Sequence, residues 1–279
     1  MTIEKLIDKE LRTFTKPQGR HLPIPIGFCQ DGSIKELDVL ETWPYRVYIT
    51  GLPGSGKSTL LQNIVANGAL RYSPDELIFY LVDMKNEGTF DYFSQLPHVK
   101  SVSSSDEMSI YKWLEHEENK RINLFRDNEV SNIEWYNKKA IQEGQKTLPY
   151  CFFIIDEFYR LIEHDMLDYD RYKLFRWLGK GNSHQTGIVI VVAGGYYSTE
   201  FSFIRGTKIA LRSNEDGSIN VIGNDKATLL DNHGQAIVNT AEYDKEGKYN
   251  EIIQVAYIDA KKDLPIIAQK IEYKYKARW

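Results

Sequence analysis

The chain has 279 residues, 42% of them hydrophobic, which is enough to bury the core of one large α/β domain with short appendages. With 35 Lys and Arg against 39 Asp and Glu, its formal net charge of -4 does not mark a nucleic-acid binder, although a local basic patch is compatible with it. The only cysteines, Cys29 and Cys151, exclude a disulfide framework and point to a reducing cytoplasmic setting, and the 6 scattered His show no metal-ligand spacing.

Residues 1–20 are polar and of mixed charge, and read as an N-terminal arm or linker with a short helix near 3–14. The opening stretch MTIEKLIDKELRTF is no signal peptide, and no apolar run approaches the ~18–20 residues that cross a bilayer. A membrane is therefore expected to be reached only through partner chains or further segments. Residues 21–260 form the main domain. Its first part reads as a strand at 22–28, a tight turn at Asp31-Gly32 and a second strand at 34–40.

Arg46-Val47-Tyr48-Ile49-Thr50 reads as a buried strand, and residues 58–65 as an amphipathic helix. Between them stands Gly51-Leu52-Pro53-Gly54-Ser55-Gly56-Lys57-Ser58, which fits the G-x-x-x-x-G-K-[ST] phosphate-binding loop residue for residue. A strand feeding a glycine-rich turn that opens a helix aims backbone N–H groups and the positive helix end at phosphates. Gly51, Pro53, Gly54, Ser55, Gly56, Lys57, Ser58 and Thr59 are thus the candidate ATP-binding residues. Lys57 would reach the β/γ-phosphates and serve catalysis there, and the Ser58 hydroxyl would coordinate Mg²⁺.

Further along, 77–83 is a continuous apolar run suited to a parallel strand buried on both faces. Helical periods follow at 106–125 and 132–143, then buried strands at 151–156 and 188–193 and shorter ones at 208–213, 235–239 and 252–258. Residues 261–279 read as a basic and aromatic tail packing on the domain, with 270–278 as a fraying amphipathic strand or, second, as a contact to a phosphate backbone. Buried strands alternating with helices imply an α/β fold with a mostly parallel central sheet and helices on both faces.

Phe152-Phe153-Ile154-Ile155-Asp156-Glu157 is an apolar strand ending in two carboxylates. At the carboxyl end of a strand neighbouring the phosphate loop, Asp156 would hold Mg²⁺ and Glu157 would be the catalytic base that orients the attacking water. Asp83 would support the nucleotide site and Lys85 face a channel or a neighbouring subunit, or both would merely cap their strand. Glu115, Glu117, Glu118, Lys120 and Arg121 read as a solvated helix face with i,i+3 and i,i+4 pairs. Tyr196-Tyr197 reads as rim packing or a stacking platform.

Several further stretches share an order and spacing: Tyr72-Ser73-Pro74-Asp75-Glu76-Leu77, Leu81-Val82-Asp83-Met84-Lys85, Leu96-Pro97-His98-Val99, Lys120-Arg121-Ile122-Asn123-Leu124-Phe125, Asn132-Ile133-Glu134-Trp135-Tyr136-Asn137 and Thr186-Gly187-Ile188. Together they resemble the FtsK/SpoIIIE-type motor domain, which also forms the ATPase modules of type VII secretion proteins. The resemblance implies a RecA-like P-loop ATPase that works as a homo-oligomeric ring, usually hexameric, and translocates a polymer through its channel. Double-stranded DNA is the first expected substrate. The alternative is a type VII secretion module that binds ATP and docks a secreted polypeptide, in the cytoplasm at the inner face of the membrane. Two departures stand out. Before the Gly-Ile strand, Lys180-Gly181-Asn182-Ser183-His184-Gln185 carries no arginine finger, and Ala193-Gly194-Gly195 lacks the family's sensor glutamine. The resemblance thus implies an intact phosphate loop with slow hydrolysis by the chain alone, Arg205 and Arg212 reading first as partners in exposed salt bridges and second as substitute fingers.

Overall fold

A computed structural model of the chain describes residues 2–3, 21–42, 45–104, 107–160, 183–195, 206–230, 233–240 and 247–276. Runs of Val, Ile, Phe and Tyr, which suit a pleated surface covered on both sides, form β1 (Ile24–Cys29), β2 (Ile34–Leu37), β3 (Arg46–Thr50), β4 (Leu77–Asp83), β5 (Val99–Ser103), β6 (Tyr150–Asp156), β7 (Ile188–Gly194), β8 (Thr207–Leu211), β9 (Gln235–Asn239) and β10 (Glu251–Val255). They make one ten-stranded sheet in the order β2-β1-β10-β9-β8-β3-β7-β6-β4-β5. The strands from β8 to β5 pair in parallel, as expected for an α/β core. Beyond β8 the sheet continues as an antiparallel wing of β9, β10, β1 and β2.

The helices are α1 (Lys57–Arg71), α2 (Glu107–Asp127), α3 (Ile133–Gln142), the short α4 (Ser183–Thr186), α5 (Glu215–Ile222) and α6 (Asp263–Lys276). Alternation along the strands divides the core between the two sheet faces. Leu77, Phe79 and Leu81, with Val189 and Val191, share one cluster with Leu60, Ile64 and Val65 of α1 and Leu264 and Ile271 of α6. Ile78, Val82, Phe153, Ile155, Ile190 and Val192 pack instead with Leu114 of α2 and Val221 and Ile222 of α5. Trp113 of α2 stacks on Phe153 with centroids 5.3 Å apart and planes at 10°. Each fully covered aliphatic side chain contributes about 1.5–3 kcal/mol, so the two layers hold the strand ends in fixed register.

Local chemistry sets the boundaries. The Asn132 side chain caps α3 by accepting from Trp135 N at 2.9 Å. Asn63 and Asn67, buried on α1, donate to the carbonyls of Ala256 and Pro25 at 2.8 Å each, which joins the helix to the antiparallel wing. The N-terminal residues Thr2 and Ile3 reach the same wing, where Ile3 N donates to Tyr257 O at 2.9 Å. The rest of the arm lies outside the described residues.

Three sequence expectations need correction, and one strand was missed. Residues 270–276 are helical, not a strand: Tyr273 is 84% exposed and Tyr275 3%, whereas alternation in a strand would turn both to one side. Leu264, Ile267, Ile271 and Tyr275 form the buried helical stripe, and the Tyr275 hydroxyl donates to Tyr72 O at 2.7 Å. The acidic and basic residues of α2 are not all solvated. Arg121 is buried, where Nε donates to Glu117 Oε1 at 2.8 Å and Nη1 to the carbonyls of Pro149 and Thr186 at 2.9 and 2.8 Å. The edge strand β5 has no apolar run to announce it, since Lys100 and Ser101 face solvent. Finally, β6 does not neighbour the phosphate-loop strand, because β7 lies between β3 and β6.

Candidate nucleotide site

The turn from β3 into α1 winds through two left-handed glycines, Gly54 at φ 76° and Gly56 at φ 109°, and Gly56 is the N-cap of the helix. A Cβ-bearing residue would be strained at either position. Among the described residues no side chain caps α1, so its first N–H groups remain directed at the loop. Neighbouring backbone fixes the loop from outside: Leu52 N donates to Arg212 O at 2.8 Å and Gly234 N to Ser55 O at 3.0 Å. The His233 ring Nδ1 lies 2.9 Å from Gly54 O. Inside the loop, Lys57 Nζ donates to Gly51 O at 2.8 Å and Leu52 O at 3.3 Å.

The structure gathers every sequence-predicted site residue from Gly51 to Thr59 in this turn and brings Asp156 and Glu157 against it. Ser58 Oγ donates to Asp156 Oδ2 at 2.8 Å. The contact has to cross the end of β7, and the small residues there make room for it. A Cβ on Gly195 would stand 3.3 Å from Gly51 O and 3.8 Å from Lys57 Nζ. The Ala-Gly-Gly departure thus borders the phosphate loop at Gly51 and Lys57.

Burial raises the Asp156 carboxyl above the ordinary range, with Glu157 adding to the shift and the Ser58 bond and Lys57 opposing it. Burial likewise lowers Lys57, against the pull of Glu157 and Asp156. Asp156 Oδ1 is buried with no hydrogen-bond partner among the described residues. An unpartnered carboxylate oxygen beside a serine hydroxyl is an all-oxygen donor pair, which fits a hard cation that keeps most of its waters.

Glu157 sits just past β6 in a left-handed conformation, φ 55°, sparsely populated for a residue with a side chain. Its Oε1 is 3.7 Å from Lys57 Nζ and 2.8 Å from Lys85 Nζ. Lys85 therefore reaches the site and pairs with its second carboxylate. Partial burial works against its charge, but the bond to Glu157, with the fields of Glu157, Glu87 and Asp156, raises its pKa on balance.

The sequence reading missed Thr89, whose Oγ1 lies 3.3 Å from Asp156 Oδ2, and the His233-Gly234 pair that borders the loop. A signal for Thr89 was present: Asp83-Met84-Lys85-Asn86-Glu87-Gly88 is turn-forming composition directly after a buried strand. Arg212 is exposed and touches the loop through its carbonyl. Lys180, Tyr196, Tyr197 and Arg205 lie outside the described residues.

The FtsK/SpoIIIE family model matches residues 10–270. The ESX secretion system protein YukB of Bacillus subtilis is 30% identical over 166 residues, 56% of this chain and 11% of that protein. The type VII secretion system protein EssC of Staphylococcus aureus is 30% identical over 148 residues, 50% of this chain and 10% of its own length. The chain thus spans about a tenth of the length of these curated relatives. Among solved structures, the cytoplasmic domain of the Thermomonospora curvata type VII secretion ATPase EccC superposes with a TM-score of 0.82, at 23% identity over 97% of this chain and 34% of that one. The pCW3 conjugation coupling protein TcpA, solved with ATPγS, gives 0.70 at 23% identity over 92% and 71%. These two likenesses concern the fold, which is that of P-loop ATPases.

Proposed function

This chain belongs to the FtsK/SpoIIIE family as a P-loop ATPase domain, and we propose that it is the ATP-driven module of a type VII secretion-type export apparatus. The observation that carries this reading is a phosphate loop closed onto Asp156 and Glu157, in a chain whose 30% identical relatives are type VII secretion proteins. The expectation of double-stranded DNA as the first substrate gives way to a secreted polypeptide. The module would act in the cytoplasm as a homo-oligomeric ring, a hexamer by family resemblance, and reach the membrane through partner chains or further segments. Among the described residues no helix is long and apolar enough to cross a membrane.

In the proposed chemistry Gly51, Gly54, Ser55, Gly56, Ser58 and Thr59 turn backbone N–H groups to the phosphates, and Pro53, which has no N–H to donate, shapes the loop. Lys57 exchanges its bonds to the Gly51 and Leu52 carbonyls for β/γ-phosphate oxygens. Ser58 and the free Oδ1 of Asp156 would hold Mg²⁺, which supplies neutralisation of phosphate charge when bound. Glu157 takes the proton of the attacking water as its oxygen bonds to the γ-phosphorus and the bond to the departing ADP breaks. Positioning and charge stabilisation provide most of the acceleration in such a site.

Steady-state ATP turnover, measured with oligomer mass in the presence of a C-terminal peptide of a secreted substrate or of double-stranded DNA, tests the proposal. Stimulation or capture by the peptide is expected. Stimulation by DNA alone, lost steeply as salt rises, would replace it with the DNA-motor reading.

A further inference from the structure

The turn after β4 is built around one buried carboxylate. Asp83 Oδ1 accepts the N–H groups of Lys85 and Asn86 at 3.1 Å each, and Oδ2 those of Glu87 and Thr89 at 3.0 Å each. Both oxygens are fully used, and the chain passes through left-handed conformations at Asn86 and Gly88. Gln62 on α1 donates to Thr89 O at 2.9 Å, which ties the turn to the phosphate-loop helix. The turn is therefore a rigid mount, and it presents the Lys85 ammonium to Glu157 Oε1.

Lys57 cannot perform that service, because phosphate binding calls it away and it is already the more distant cation, at 3.7 Å. Oε2 of Glu157 has no hydrogen-bond partner among the described residues. We propose that Lys85, mounted by Asp83, is a positioning residue for Glu157: it holds Oε1 and so leaves Oε2 directed at the water that attacks ATP. The pair is partly exposed and adds little to stability, so its effect is orientational. This inference rests on the reading of Glu157 as the base.

The test compares Lys85→Met, Lys85→Arg, Glu157→Gln and the Lys85→Met/Glu157→Gln double variant in the assembled protein. Its readouts are ATP turnover and ATPγS affinity. A carboxylate displaced by about 1 Å costs up to about 10²-fold, so Lys85→Met should lower kcat about 10- to 100-fold. KM and ATPγS affinity should stay within about twofold, and Lys85→Arg should restore most of kcat. In the double variant Lys85→Met should cost nothing beyond Glu157→Gln, because the two residues act as one unit. Wild-type kcat in Lys85→Met, with turnover lost in Glu157→Gln, overturns the positioning role and leaves the base intact. Full turnover in Glu157→Gln overturns the base reading itself. A proportional loss of ATPγS affinity in Lys85→Met makes Lys85 a nucleotide ligand and also ends the proposal. Independently of turnover, acylation of the Lys85 amine should speed up in Glu157→Gln, and an unchanged rate counts against the pairing.

Discussion

Ser58 and Asp156 meet across the end of a strand that belongs to neither of them: Oγ donates to Oδ2 at 2.8 Å although β7 separates β3 from β6. The contact spans two strand spacings, roughly 9.5 Å of sheet. Helix α1 makes this possible by leaning over β7, whose last residues carry almost no side chain.

Binding and chemistry should separate between the two acidic and basic partners of the loop. In Lys57→Ala the phosphates lose their cation, and ATPγS affinity should fall at least about tenfold, the effect of losing roughly 1.4 kcal/mol. In Glu157→Gln affinity should stay within about twofold while turnover drops by ~10²–10⁴. Calorimetric titration beside a phosphate-release assay distinguishes them, and parallel losses in both variants would contradict the assigned roles.

Asp156 is charged at a cost. Its pKa is raised by burial, so the folded state holds this proton more tightly than the unfolded chain does. Stability is therefore lost as pH rises through the interval from the unfolded to the folded value. At neutral pH, without nucleotide or divalent cation, Asp156→Asn should raise Tm, because the variant removes the buried charge. The same variant should lose the Mg²⁺-dependent part of its ATPγS affinity. A lower Tm in the variant would show that the carboxylate is net stabilising even without a cation.

His98 links folding to acid. It is buried with Nε2 2.8 Å from Tyr72 O, and burial pushes its pKa down to about 4. An unfolded histidine titrates near 6.5, so between about 6.5 and 4 the unfolded chain takes up a proton that the folded chain refuses. The stability present above pH 6.5 is lost as pH falls toward 4, about 2 kcal/mol of it by pH 5. His98→Gln should flatten that part of a Tm-against-pH curve measured from pH 7.5 to 5. An unchanged slope would assign the acid sensitivity elsewhere.

Arg121 is a buried cation that links three segments. It brings Glu117 of its own helix to the carbonyls before β6 and at the end of α4. Arg121→Met leaves an acid and two carbonyls without their cation, a loss of about 3 kcal/mol. The expected fall in Tm is on the order of 6–12 °C. Adding Glu117→Gln should recover part of it, since the stranded charge is then gone. Thermal melts followed by circular dichroism provide the comparison.

The parallel core was legible because its strands are unbroken apolar runs: 77–83, 151–156 and 188–193 read correctly to within a residue. The phosphate loop was legible because its glycines, Lys57 and Ser58 have chemistry that tolerates few substitutes. What escaped was set by tertiary contacts. Alternation at Tyr273 and Tyr275 imitates a strand until Tyr275 is seen inserted against Tyr72. Arg121 looked like one more surface charge because its acceptors are main-chain oxygens from 28 and 65 residues away. Strand order is equally invisible in a linear reading, so Asp156 was placed beside the loop strand instead of two strands away.

Helix α1 begins at the phosphate loop and is followed by Tyr72, whose carbonyl faces both His98 Nε2 and the Tyr275 hydroxyl. Fifteen residues of helix make a rod about 22 Å long. One end of that rod is the cradle for phosphate, and the other is the bearing on which α6 rests. A tilt of a few degrees at the cradle becomes a shift of an ångström or more at the bearing. One continuous helix thus ties the position of the phosphate loop to that of the C-terminal helix.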